Sequence, residues 1–156
     1  RVFAPLKVLT SQSQFSWGVV GIKEDTAVQV EQYLKASTSP MYLGKQYEHI
    51  LDFSTNNIAE ERFLRITDEH NRYYSYLYAA VLIRELETQW KASGYDISKK
   101  PGVVATLFNI GFNHSKPNAN PQIGGAAIVL ASTTYSFGGL AESFYNSDEL
   151  LDLFPR

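Results

Sequence analysis

Apolar positions recur at three- and four-residue steps through the middle of the chain. Tyr74, Leu77, Tyr78, Val81, Leu82, Leu86 and Trp90 fall on one side of a helix, and Tyr73, Tyr76, Ala80 and Ile83 widen that stripe. The spacing predicts a helix over 67–93, central to the fold because so wide a stripe needs cover on several sides. Thr67, Asp68 and Glu69 suit its first turn, and Gly94 suits its end.

Shorter segments surround it. A helix is predicted over 26–36, with Val28, Val30, Tyr33 and Leu34 on or near one side, stopped by the STSP run at 37–40. Another over 46–53 would turn Tyr47, Ile50 and Leu51 inward. Ser54, Thr55 and Asn56 offer caps for a helix carrying Ile58, Phe63 and Leu64. After a cap at Ser98, Pro101 opens a helix through Val103, Val104, Leu107 and Phe108 that Gly111 ends. Residues 1–13, 136–145 and 147–154 read as further short helices. The stretch 123–136 is open to three readings: an extended segment, a short hairpin or a Gly/Ala-rich helix. The predicted fold class is mainly α: six to eight helices around 67–93, with a minor extended element within 112–136, as a single domain over 1–156.

Composition narrows the classes of function. With 44% hydrophobic and 19% charged residues, the 156-residue chain reads as a folded globular domain. A net charge of -2 argues against a nucleic-acid surface. No apolar run reaches the about 18 residues that suggest a membrane span. The absence of cysteine excludes disulfides and thiolate metal sites. His49, His70 and His114 are scattered without metal-ligand spacing, so neither metal nor cofactor is predicted. The chain opens at Arg1 with neither an initiator Met nor a signal peptide, and is expected to be a piece of a longer protein. Its aromatics suit either core packing or the stacking of sugar rings.

The chemistry concentrates in VLTSQSQFSWGVVGIKEDTA, residues 8–27. A helix end is followed by two glycines three apart, Gly18 and Gly21, and then by a helix start at Glu24 and Asp25. Late in the chain comes Ala105-Thr106-Leu107-Phe108-Asn109-Ile110-Gly111. The order resembles the lysozyme-like superfamily of lytic transglycosylases and goose-type lysozymes. There, Glu-Ser closes a helix, a Ser/Gly turn and Gln-Ile-x-x-x-Thr-Ala follow, and an Ala-x-x-Tyr-Asn-x-Gly signature comes later. Gln12-Ser13 stands where Glu-Ser would be, Ser16 and Gly18 match the turn, and Ile22 and Thr26-Ala27 match the far end. Gly21 replaces the family glutamine, and Phe108 replaces the tyrosine beside Asn109.

The resemblance implies cleavage of the MurNAc–GlcNAc β-1,4 bond of peptidoglycan in the periplasm or outside the cell. Gln12 would occupy the catalytic position, and Ser13, Ser16, Gly21, Ile22, Phe108 and Asn109 would contact the glycan. An inhibitor or immunity protein would be a second partner if the chain is a toxin domain. Glycosidic cleavage needs a carboxylic acid to protonate the leaving oxygen, and an amide cannot do this. Three explanations stay open: an engineered Glu-to-Gln change, a natural non-catalytic module that binds glycan or a protein partner, or another acid, with Glu24 and Asp25 nearest.

Overall fold

The computed structural model of the chain describes residues 16–155. They form five α-helices and two antiparallel hairpins, so the protein is mainly α-helical. The chain divides into two compact units: the first takes residues up to Ser37 together with Leu43–Leu82, the second Thr38–Tyr42 and the chain from Ile83 onward.

The first unit begins with a hairpin of β1 (Ser16–Trp17) and β2 (Ile22–Lys23), in which Trp17 pairs with Ile22. Trp17 and Ile22 are buried, which seats the hairpin on the core. Strand β2 runs directly into α1 (Glu24–Lys35), where Glu24 and Asp25 offer negative charge to the exposed N–H groups of the first turn. Helix α1 buries Ala27, Val30 and Leu34, an i, i+3, i+7 stripe. Helix α2 (Ile58–Thr67) packs its Phe63 ring edge-to-face on Trp17, at 5.2 Å between centroids. Arg65 of α2 lies between Phe53 and Tyr74, with its guanidinium 5.0 and 4.5 Å from their ring centroids. Helix α3 (Tyr73–Ala92) brings fully buried Tyr78 and Leu82 into this unit and continues into the second.

In the second unit, α4 (Pro101–Ile110) and α5 (Phe137–Tyr145) approach each other through small residues. Any Cβ on Gly138 would overlap Thr106 Oγ1 and come within 2.6 Å of the Gly102 carbonyl oxygen. Thr106 donates to that carbonyl at 2.6 Å and accepts from Gly124 N–H at 2.9 Å, tying the crossing to the loop before β3. Strands β3 (Ala127–Leu130) and β4 (Thr133–Ser136) form a hairpin, and Ser136 then caps α5 by accepting from Gly139 N–H at 3.1 Å. Of the three readings open for 123–136, the structure takes the hairpin.

Several boundaries differ from the sequence expectation, and at 54–57 and 67–71 side chains compete for the backbone. The helix predicted over 67–93 starts late, because 68–72 is not helical. Thr67 Oγ1 donates to Phe63 O, Asp68 turns extended, and its Oδ1 accepts from His70 and Asn71 N–H at 2.8 and 3.0 Å. Helix α3 therefore starts only at Tyr73. Over 46–53 there is a 3-10 turn, Lys45–Tyr47, followed by turns; Leu51 is buried, whereas Tyr47 is exposed. The cap of α2 is Asn57 rather than Ser54, Thr55 or Asn56, because Ser54 and Thr55 give both backbone N–H groups and both hydroxyls to Glu61. These bonds, Ser54 N–H first, lower the Glu61 carboxyl to about 2. Ser98 caps nothing; Glu142 accepts from Gly102 N–H at 2.6 Å at the start of α4. Residues 147–154 are turns, broken where Leu150 takes a left-handed φ of 57°. The helix expected over 1–13 lies outside the described residues.

The glycine crossing gives a direct test. Gly138→Ala should lower stability by about 2 kcal/mol through overpacking, read as a fall in the urea midpoint at unchanged m-value. An unchanged midpoint would show that α4 and α5 do not need so close an approach.

Candidate functional site

Of the residues that the family pattern singles out, Gln12 and Ser13 lie outside the described residues. Ser16, Gly21 and Ile22 come together in the β1–β2 hairpin of the first unit. Ser16 is exposed opposite Lys23, and Gly21 closes the turn by donating its N–H to Gly18 O. Gly18 and Gly21 have φ of 66° and 68°, a region that favours glycine. Gly18 is further fixed by its surroundings, since a Cβ there would overlap Ile66 O and lie 2.6 Å from Ser75 Oγ. Ile22 is buried in the core, so it shapes the turn from beneath.

A depression of about 600 Å³ opens beside this turn, lined by Gly18, Val19, Ile66, Thr67, Asp68, Glu69 and Arg72. Asp68 and Arg72 bring an acceptor and a fork of donors to its rim. This is the short non-helical break between α2 and α3, so the side chains that interrupt the helix also furnish the depression.

Phe108 and Asn109 stand in the last turn of α4, in the second unit. Asn109 is exposed, and its Oδ1 accepts from Ala126 N–H at 2.7 Å, holding the strand that enters β3. Its carbonyl oxygen is thus committed to the fold. Phe108 is half-buried.

A second concavity in the first unit, of about 530 Å³, lies between α1, the 48–53 segment and α2. Glu31 and Arg62 contribute to its lining. Arg62 Nε and Nη2 donate to the two oxygens of Glu31 at 2.6 and 2.7 Å, and Tyr78 donates to Glu31 Oε1 at 2.6 Å. The hydrogen bond to Glu31 raises the Arg62 pKa. Burial first, then the Glu31 carboxylate, raises that of the Tyr78 hydroxyl. Both directions favour a cationic Arg62 and a neutral Tyr78 that donate to Glu31. Glu24 lies 3.9 Å from Arg62 Nη1, and Asp25 is exposed in the first turn of α1.

The acid with the most altered environment is Glu85 of α3. It is fully buried, neither carboxyl oxygen has a hydrogen-bond partner among the described residues, and burial pushes its pKa up to about 9. The sequence carries a signal for it: Glu85 lies three residues after Leu82 and seven after Tyr78, on the apolar stripe of the central helix. Sealed from solvent, it holds its proton near neutral pH, yet cannot reach a bound molecule.

Among the described residues, no group of His, Asp and Glu is arranged to hold a metal ion, and no helix is long and apolar enough to cross a membrane. Comparison of the chain with known protein families, with curated proteins and with solved structures gives no match.

Glu85 predicts a pH dependence of stability. Its folded pKa is raised from 4.5 to about 9. Above pH 4.5 the unfolded chain therefore loses a proton that the folded chain keeps. Stability should fall as pH rises from 5 to 9, by up to about 1.4 kcal/mol per pH unit from this group. Glu85→Gln should flatten that slope in urea titrations at pH 5, 7 and 9. A slope identical to that of the parent chain would mean that Glu85 ionises in the folded state without penalty.

Proposed function

We propose that the chain is a lysozyme-like, peptidoglycan-directed module, in which muramidase or lytic transglycosylase chemistry is silent because Gln12 stands where the family has its acid. The observation that carries this reading is the glycine turn. The ordered Ser16, Gly18 and Ile22 of the family pattern form a tight hairpin leading straight into a helix, at a position where only glycine fits, and the turn borders a depression rimmed by Thr67, Asp68 and Arg72. Hydroxyl, carboxylate and guanidinium groups suit the hydroxyls and amides of a glycan strand. The substrate places the site of action at the cell wall, in the periplasm or outside the cell.

The chemistry follows from the residue types. Breaking the glycosidic bond builds positive charge on the sugar and needs a proton on the leaving oxygen. Gln12 keeps the shape and hydrogen-bonding capacity of a glutamate without the proton. Among the neighbouring acids, Glu24 faces Arg62, and Asp25 sits exposed on a helix N-terminus. Glu85 has the right protonation state but no access.

The test is Gln12→Glu. The parent chain should bind purified sacculi and release few muropeptides, whereas the variant should release them about 10²- to 10⁴-fold faster, the usual worth of general acid catalysis. Mass spectrometry of the products would show 1,6-anhydro ends for transglycosylation or reducing ends for hydrolysis. A folded variant that binds sacculi and releases nothing would favour a non-catalytic glycan-binding module. A parent chain that fails to bind sacculi at all would remove the glycan from the reading.

A further inference from the structure

We propose that the outer edge of β3 pairs with the same edge of a second copy of this chain, joining the two hairpins into one continuous antiparallel sheet. Among the described residues, no further strand joins the β3–β4 hairpin. Ala127, Val129, Leu130, Thr133, Thr134 and Tyr135 are all exposed, Val129 at 67% and Leu130 at 52%. An isolated hairpin is marginal in water and gains stability from added strands. Its turn contributes little, because Ala131 takes a left-handed φ of 53° in a two-residue loop that favours glycine or asparagine there.

The backbone groups for such pairing are in place. In a hairpin closed by a two-residue loop, the residues flanking the loop exchange hydrogen bonds. Leu130 with Thr133, and Ile128 with Tyr135, therefore turn their N–H and C=O groups inward. Ala127 and Val129 turn theirs away from β4. The edge of β4 is cut short, since β4 runs directly into α5 and Ser136 is committed as its cap. Strand β3 is also the more apolar of the two, AIVL against TTYS.

Charge and symmetry select a second copy as the occupant. An edge strand set antiparallel to itself about a two-fold axis places Val129 of one copy opposite Ala127 of the other, so that each outward N–H meets a C=O. From 122 to 141 there is neither a charged residue nor a proline, in a chain of which 19% is charged. Two such edges meet without repulsion, and neither carries the residues that keep edge strands apart. The net charge of -2 leaves little repulsion between copies at a distance. A charge-free edge has no sign with which to choose a foreign strand, whereas its own copy matches it in length and in the alternation of its side chains.

This surface uses neither Gln12 nor the depression beside Gly18, so it stands or falls apart from the glycan reading. Sedimentation equilibrium from about 1 µM to about 1 mM should show a monomer–dimer equilibrium with a Kd of about 10–100 µM, as suits an interface at the small end of the range. Across the same concentrations, hydrogen exchange of the ¹⁵N-labelled chain should slow at Ala127 and Val129 while Thr134 stays fast. Val129→Pro removes an outward N–H that the hairpin's own ladder does not use. It should keep the spectrum of the folded chain and weaken the dimer about 10-fold or more. Thr134→Pro, the same change on the β4 edge, should leave the dimer unchanged. A chain still monomeric at about 1 mM would leave the edge to some other strand and overturn the proposal. Growth beyond a dimer, equal weakening by the two prolines, or protection of Val129 that does not depend on concentration would each do the same.

Discussion

The first unit depends on one carboxylate. Glu31 of α1 takes two hydrogen bonds from Arg62 of α2 and one from Tyr78 of α3, so three helices meet on a single charge. Arg62 is 6% exposed and Tyr78 is fully buried. Neither could hold its polar groups there without the partner, because a buried unpaired charge costs several kcal/mol. Everything functional in this unit hangs from that joint. Helix α2 carries Phe63 and Ile66, against which Trp17 and Gly18 set the glycine turn, and α2 also forms a wall of the concavity beside α1.

The second unit is organised by shape more than by charge. Gly102, Thr106 and Gly138 let α4 and α5 approach closely, and Glu142 of α5 accepts from the N–H of Gly102 through its side chain. The late family-like signature lies on α4, and its Asn109 is bound to the β3 strand by its side-chain oxygen. That residue therefore has a sufficient structural reason to be asparagine, whatever else it contacts.

The sequence made the regular parts legible and the exceptions illegible for a common reason. Helices α1 and α4 follow from stripes of apolar residues and from Pro101 and Gly111, which are local signals. Ser136 marks the start of α5 in the same way. The break at 68–72 was hidden because Asp68 suits both a helix N-terminus and an Asx-type turn, and only the structure shows its Oδ1 on His70 and Asn71. The Glu31–Arg62 pair spans 31 positions and leaves no periodic trace. Glu85 was visible as an acid on an apolar stripe, but its environment depends on what packs around it. Near the family-like segment, the glycine turn and the helix start after it were legible, whereas the pairing of Ser16–Trp17 with Ile22–Lys23 was not. The depression contributed by Asp68 and Arg72 could not be read either, since it lies where the first turn of the long helix was expected and the chain is instead non-helical.

The claim that Glu31 and Arg62 hold the first unit together is tested most directly by a double-mutant cycle in urea unfolding with Arg62→Met, Glu31→Leu and the two combined. Each single change should cost about 3–5 kcal/mol, because it strands a buried charge, and the double change should cost far less than their sum. Single changes that each cost under about 1 kcal/mol, or a double change equal to their sum, would contradict the account.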